Sequence, residues 1–350
     1  ITIGDWSSDV CSSDLFAFFC FGISRTVAYP SLQNRIKSDV CAKYQSLYIP
    51  KHQGPCHIPG KSPCSIGRHE EQDFNDAVNA INFFRYLNGL DFVKKSTNAK
   101  IIREENEAAM VMNANNKLTQ SLDKHMKCYK SGAATGARNS ILAKASPSVC
   151  ASRTITRYML EANSTRLSHR RWILDPKFSE VAIGVVGKYS ALRINRIPKT
   201  GKTKPAFIAY PPPGPVPDDL IPDTWSFSNN HNMLSDAKVT VKCNGESIPI
   251  VQQMNFGIVN FKPERLPEIG EMFEVEVKSS KANTTWKYTV TPVSCSAENG
   301  LEADFESNEK KSANLSFALI ISAGVAGIAV IALIGYVIVS KKNQKQYVPI

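Results

Sequence analysis

The sequence predicts an α+β chain: a helix-rich part, then a small antiparallel β-sandwich-like part, then one transmembrane helix near the C-terminus. Three observations carry this expectation. Apolar residues recur at helical spacing in segments between residues 71 and 162. Short stretches that alternate apolar and polar residues, separated by turn residues, fill much of 239–290. Residues 317–339 hold no charge at all, and at about 1.5 Å per residue such a run crosses a hydrocarbon core of roughly 30 Å. Helices first and strands later is the order of an α+β domain.

From the N-terminus, residues 1–14 repeat Ser7-Ser8-Asp9 as Ser12-Ser13-Asp14. They resemble translated sequencing adapter and carry no fold argument. Residues 15–28 read as a signal-peptide remnant: an apolar run ends at Ile23, and Thr26-Val27-Ala28 offers small residues at the two positions a signal peptidase reads. The chain has nine cysteines. Cys11 and Cys20 fall in these two segments, which leaves Cys41, Cys56, Cys64, Cys128, Cys150, Cys243 and Cys295. Export implies that most are oxidised, and an odd number leaves one over. Sequence separation favours Cys128–Cys150 and Cys243–Cys295.

Residues 29–70 are rich in Pro, Gly and Cys and read as a disulfide-held segment. Cys56, His57, Cys64 and His69 also group as a zinc set, but the spacing fits no standard finger and the compartment favours disulfides. Residues 71–215 form the main domain. Phe74, Val78, Ile81, Phe84 and Leu87 share one helix face, and Asn88-Gly89 ends that helix. A second helix covers about 101–117, with Glu104 and Glu105 early, where the helix dipole favours acids. A third covers about 152–162. Strands follow near 181–186 and 206–209. Tyr210-Pro211-Pro212-Pro213-Gly214-Pro215-Val216-Pro217 excludes helix and central strand and reads as a rigid connector. Residues 216–297 form a β-rich appendage, with strands expected near 239–241, 248–251, 273–277 and 286–290. An acidic stalk, 298–316, precedes the span 317–339. Lys341, Lys342 and Lys345 mark the tail, 340–350, as cytoplasmic. The protein is thus expected at the plasma membrane, single-pass and type I, with its ectodomain outside.

The formal charge of +11 does not imply nucleic acid. An exported ectodomain meets none, and the lysines and arginines lack the aromatic interleaving of a single-strand binder. Asn163 and Asn283 are glycosylation acceptors, and Asn314 lies close to the membrane. Ala323 and Gly327 in the span have the spacing that packs helix on helix, which points to a dimer.

The most informative segment is Leu167-Ser168-His169-Arg170-Arg171-Trp172-Ile173-Leu174-Asp175-Pro176. It places His169 before a Trp172-Ile173-Leu174 cluster expected to be buried, and ends at a proline that breaks the helix. Ser168-His169-Arg170-Arg171-Trp172-Ile173-Leu174-Asp175-Pro176 is similar to the Gly-His-Arg segment of the CAP superfamily (cysteine-rich secretory proteins, antigen 5 and pathogenesis-related 1 proteins). Residues 79–90 resemble the first helix of that family, and 108–118 its second. Tyr210-Pro211-Pro212-Pro213-Gly214 with Trp225-Ser226-Phe227-Ser228 resembles a divergent bacterial and protist branch. The resemblance covers about 71–230.

It implies an α-β-α sandwich around an antiparallel sheet, with a cleft where two histidines and two acids hold a divalent metal. His169 carries over. The first histidine does not, because Leu118-Thr119-Gln120 stands where the family has Leu-Ser-His. Gln120 is a poor zinc ligand, and His125 lies five residues on. Glu161 is the candidate acid, whereas Gly136-Ala137-Arg138-Asn139 lacks the other one. His169, Glu161 and Gln120 are therefore the cleft candidates for ligand binding, and His169 with His125 for zinc.

Two functions follow. The first is a non-enzymatic cell-surface protein whose cleft or appendage binds a lipid, glycan or protein. It fits the absence of a nucleophile elbow or a catalytic-thiol pattern. The alternative is a hydrolase or metal-dependent enzyme with His169 as base and Glu161 as its orienter. Convergence of His169, Glu161 and His125 would favour the second.

Overall fold

The computed structural model describes residues 25–145, 150–162, 164, 166–196, 205–229, 234–255 and 257–295. All described secondary structure lies in the first of two compact units, which ends at Val293. The predicted stalk, membrane span and tail, and Asn163, lie outside the described residues. Among the described residues no helix is long and apolar enough to cross a membrane.

The described residues open with a strand, β1 (Arg25–Val27), drawn from the end of the expected leader. Two short helices follow, α1 (Pro30–Gln33) and α2 (Lys37–Lys43), and a π-helical turn over Tyr44–Tyr48. Tyr44 and Tyr48 pack edge-on and tilted against Phe83 at 5.7 and 5.6 Å between ring centroids. The segment expected as mere loops is thus packed onto the first long helix. A small ribbon, β2 (His57–Ile58) with β3 (Arg68–His69), completes it.

The disulfides differ from the sequence expectation. Cys56 pairs with Cys150, and Cys64 with Cys128; Cys41 and Cys295 are also oxidised. Cys128 therefore does not join Cys150. Cys243 is the odd thiol, free and buried, so it does not join Cys295. Short sequence separation was a poor guide because the ribbon brings Cys56 and Cys64 onto the main domain from a distance.

That domain is built on α3 (Glu71–Leu87), β4 (Lys94–Lys95), α4 (Ala99–Ala114), α5 (Ser131–Arg138), β5 (Ser140–Lys144), α6 (Ala151–Leu160), α7 (Ser168–Ile173), β6 (Phe178–Val186) and β7 (Tyr189–Arg196). The four strands form one sheet in the order β4-β6-β7-β5, antiparallel except for β4 on β6. Asn98 starts α4 by accepting from the Lys100 and Ile101 amides. Gly89, at φ 63°, ends α3 in the left-handed region, as its Asn-Gly predicts.

Alternation along the strands sorts the core. Ala191, Val186 and Leu142 pack with Met112, Ala108 and Ala133 of α4 and α5. Tyr158 of α6 donates to the Ile141 carbonyl. Asp73 of α3 ties α3 to α6 by accepting from the Ala151 and Ser152 amides at 2.7 and 3.1 Å. At Gly184 a Cβ would lie 2.2 Å from the Glu105 backbone, so only glycine lets α4 approach this closely.

Beyond the main sheet come β8 (Ile208–Tyr210), β9 (Gly214–Pro217), a 3-10 turn, β10 (Trp225–Ser228), β11 (Lys238–Cys243), β12 (Glu246–Ile248), β13 (Ile250–Asn255), β14 (Ile258–Pro263), β15 (Phe273–Ser279) and β16 (Thr284–Val293). One sheet runs β13-β14-β10-β8. The other runs β1-β16-β15-β11-β12, with β9 also on β16. Trp225 meets Phe273, and Phe227 meets Trp286 (centroids 6.1 and 5.5 Å apart), so aromatic rings join the two sheets. The proline connector is part of this layer, since β9 pairs parallel with β16. Proline is tolerated there because β9 has only one partner strand. The exposed Asn283 sits at the β15–β16 turn.

Two buried arginines fix these parts. Arg85 of α3 is fully buried and donates to four carbonyls, of Asp91, Ile173, Asp175 and Phe178. It clamps the α7–β6 junction. Arg170 donates to the Met159, Leu160 and Thr224 carbonyls and lies 5.0 Å over the Tyr210 ring. Burial lowers both guanidinium pKa values to about 10, which leaves them charged at neutral pH.

Candidate functional site

Glu161 and His169 do come together. The Glu161 Oε1 is 3.0 Å from His169 Nδ1. The same carboxylate accepts the His169 and Arg170 backbone amides at 3.2 and 3.0 Å. Glu161 ends α6 at φ 41° and caps the first turn of α7, whose N-terminal N–H groups have no partner within the helix. The His169 ring packs at a tilt against Tyr158, with centroids 4.7 Å apart. The pair is thus a helix-start device with one half-exposed ring. His125 is exposed on the segment after α4, and only its backbone amide is engaged, by Asp123.

The metal-type grouping that does occur is Cys56, Asp73 and Cys150, with ligand atoms within 4.8 Å of one another. Both sulfurs are spent in the Cys56–Cys150 disulfide, and metal ligation needs thiolates. Asp73 is also fully engaged, by His69 Nε2 at 2.7 Å, Ser152 Oγ at 2.6 Å and two amides. Burial alone would raise its pKa, but these donors hold it below the usual carboxylate value. His57 bridges the Ile66 carbonyl and the Gly187 amide. In the oxidised protein these residues are structural.

The cleft lies elsewhere, at the end of the main sheet beside α5 and α7. A cavity of about 530 Å³ is lined by Gln120, Arg138, Asn139, Trp172, Arg193 and Asn195 among others, and no carboxylate is among the lining residues. Its volume falls within the roughly 300–1,000 Å³ of small-molecule sites. Gln120, expected at the cleft, is there; His169 is not among its lining residues. Trp172 does not anchor a buried cluster. Ile173 and Leu174 are buried, but Trp172 is 38% exposed and forms one wall.

Behind the lining residue Arg193 lies a charge network that sequence reasoning missed. Arg193 is buried and donates through Nε to Glu105 at 2.7 Å and through Nη2 to Glu104 at 2.9 Å. Ser140 Oγ donates a short hydrogen bond to the other Glu105 oxygen. Two carboxylates therefore share one guanidinium in a dry site. Burial pushes the Glu105 carboxyl up to about 7, against the lowering pull of Ser140 and Arg193. Glu104 and Glu105 were expected as helix-start acids. Because α4 begins at Ala99, they fall on its inner face instead. The signal was available: Arg193 interrupts the apolar run Ala191-Leu192-Arg193-Ile194, and a strand-interior charge needs an acid.

Compared with family models, curated proteins and solved structures, the chain has no match.

Proposed function

We propose that the protein is an exported, membrane-anchored, non-enzymatic binding protein of the CAP type, and that the cleft beside Trp172 takes its ligand. One observation carries the binding reading: a sizeable cleft presents cations, amides and an exposed indole, with no acid, thiol or histidine among its lining residues. General acid–base or nucleophilic catalysis needs such a group, or an activated hydroxyl, within reach of the reacting atoms; the one hydroxyl among the lining residues, Ser140 Oγ, is turned inward to the fully buried Glu105. The helix and strand order from α3 to β7 around a four-stranded sheet supports the CAP resemblance. The disulfides support export, and the uncharged run 317–339 supports an anchor.

The hydrolase alternative has the His169–Glu161 contact in its favour. It places the capping carboxylate, already accepting two amides, in the role of orienter. The test screens the full chain in lipid nanodiscs against arrays of lipids, glycans and cell-surface proteins, alongside His169→Ala and Trp172→Ala. Binding abolished by Trp172→Ala but retained by His169→Ala supports the proposal. Turnover of any array compound that is lost in His169→Ala would replace it with the hydrolase.

A further inference from the structure

We propose that the ligand of this cleft is an acidic sugar, a pyranose bearing a carboxylate, as found in uronate-containing glycans. The inference rests on the binding reading above and names its substrate class. Three features of the cleft each restrict the chemistry.

The first is unspent positive charge. Arg138, the last residue of α5, is exposed and makes no hydrogen bond or ion pair among the described residues. Arg193 is more than nine-tenths buried, with Nε and Nη2 held by the two glutamates. Its Nη1 has no partner among the described residues, on a residue that lines the cleft. A guanidinium held rigidly from behind loses little freedom on pairing and favours planar oxyanions.

The second feature is a set of unfilled acceptors. Gln120 Nε2 donates to the Ser140 carbonyl at 3.0 Å, Asn139 Nδ2 to the Thr135 carbonyl at 2.9 Å, and Asn195 Nδ2 to Glu180 at 3.3 Å. Each amide nitrogen faces an oxygen, so each orientation is chemically fixed. The three amide oxygens accept no hydrogen bond among the described residues, and so are open to donors from a ligand. A bare sulfate or carboxylate ion has acceptors only; sugar hydroxyls supply the donors.

The third is the exposed Trp172 ring. An indole offers a flat apolar face with one polar edge, suited to the C–H face of a pyranose. Anion, hydroxyl donors and a flat apolar face together describe an acidic sugar. An anionic phospholipid headgroup offers the charge without the ring.

The probe is a hyaluronan oligosaccharide, titrated calorimetrically into the full chain in zwitterionic nanodiscs, beside its carboxyl-reduced neutral form. The proposal expects the acidic form to bind and the reduced form to bind at least tenfold more weakly. Arg138→Gln and Trp172→Ala should each weaken the acidic form about tenfold, with the unfolding temperature of both variants unchanged. Equal binding of the two sugar forms, or binding insensitive to Arg138→Gln, overturns the acidic-sugar assignment. If instead a neutral sugar, or vesicles containing phosphatidylserine, bind in a manner lost in Trp172→Ala, the assignment falls and the cleft remains a binding site. If no probe responds to Trp172→Ala, both readings fall.

Discussion

The shared guanidinium under the cleft makes a pH prediction with a definite sign. Glu105 is fully buried, and burial raises its carboxyl from 4.5 to about 7. Between those values the folded chain keeps a proton that the unfolded chain has released. A group whose folded pKa is raised stabilises fully below its unfolded pKa, and that stabilisation is lost as pH climbs to the folded pKa. The difference corresponds to about 3.5 kcal/mol at most, at about 1.4 kcal/mol per unit. Glu105→Gln replaces the protonated acid by a neutral isostere: Oε1 still accepts from Arg193 and Nε2 donates to Ser140. The variant should match the native chain near pH 5 and exceed it by about 2–3 kcal/mol at pH 8. For a domain of this size that is a gain of roughly 5–10 °C in unfolding temperature. Thermal melts of both chains from pH 5 to 8 measure the difference, with every other titrating group common to both. A variant less stable than the native chain at all these pH values would show that Glu105 is ionised and paired with Arg193, and would refute the reasoning.

Two further outcomes follow from buried groups. Arg170→Met leaves the Met159, Leu160 and Thr224 carbonyls without their donor. Each unsatisfied buried acceptor costs about 1–3 kcal/mol, so the melting temperature should fall by roughly 6 °C or more, whereas the exposed Arg171→Met should move it by no more than about 1–2 °C. Replacing both Cys64 and Cys128 by Ser removes a crosslink over a sequence separation of 64, and urea unfolding should show a loss of about 2–4 kcal/mol.

Much of the main domain was legible because its helices announce themselves. The face of Phe74, Ile81 and Phe84, and the Asn88-Gly89 stop, place α3 to within a residue or two of Glu71–Leu87. The α+β class holds although strands interleave with the helices, and expected strands near 239–241 and 273–277 lie inside β11 and β15. What escaped had no periodicity of its own. The α5 sequence Ser131-Gly132-Ala133-Ala134-Thr135-Gly136-Ala137-Arg138 is small and bland. It is a helix because Gly136 and Ala133 let it lie against α4: a Cβ on Gly136 would sit 2.2 Å from the Glu104 carbonyl. Likewise β7 was hidden by its central Arg193. The cleft was half legible for the same reason. Gln120 was named from the resemblance. Arg138, Asn139 and Asn195 became site residues only once α5 and β7 were in place.

The histidine that marks the most distinctive segment shows why a motif and its chemistry separate. His169 is fixed by Glu161, and Glu161 by the need to cap a helix whose first residue follows Leu167 at φ 46°. Removing the carboxylate would free the α7 amides before it altered any reaction. The cleft, by contrast, draws its character from Arg193, whose charge is divided between two acids. When Glu105 is neutral, the network carries one guanidinium against one carboxylate, and Arg138 leaves the cleft net positive. When Glu105 ionises, a second negative charge stands behind Arg193 and weakens its pull on the proposed anion. The proton on Glu105 thus favours both the folded chain and an anionic ligand. Binding of such a ligand should tighten as pH falls through about 7, and Glu105→Gln should abolish that dependence.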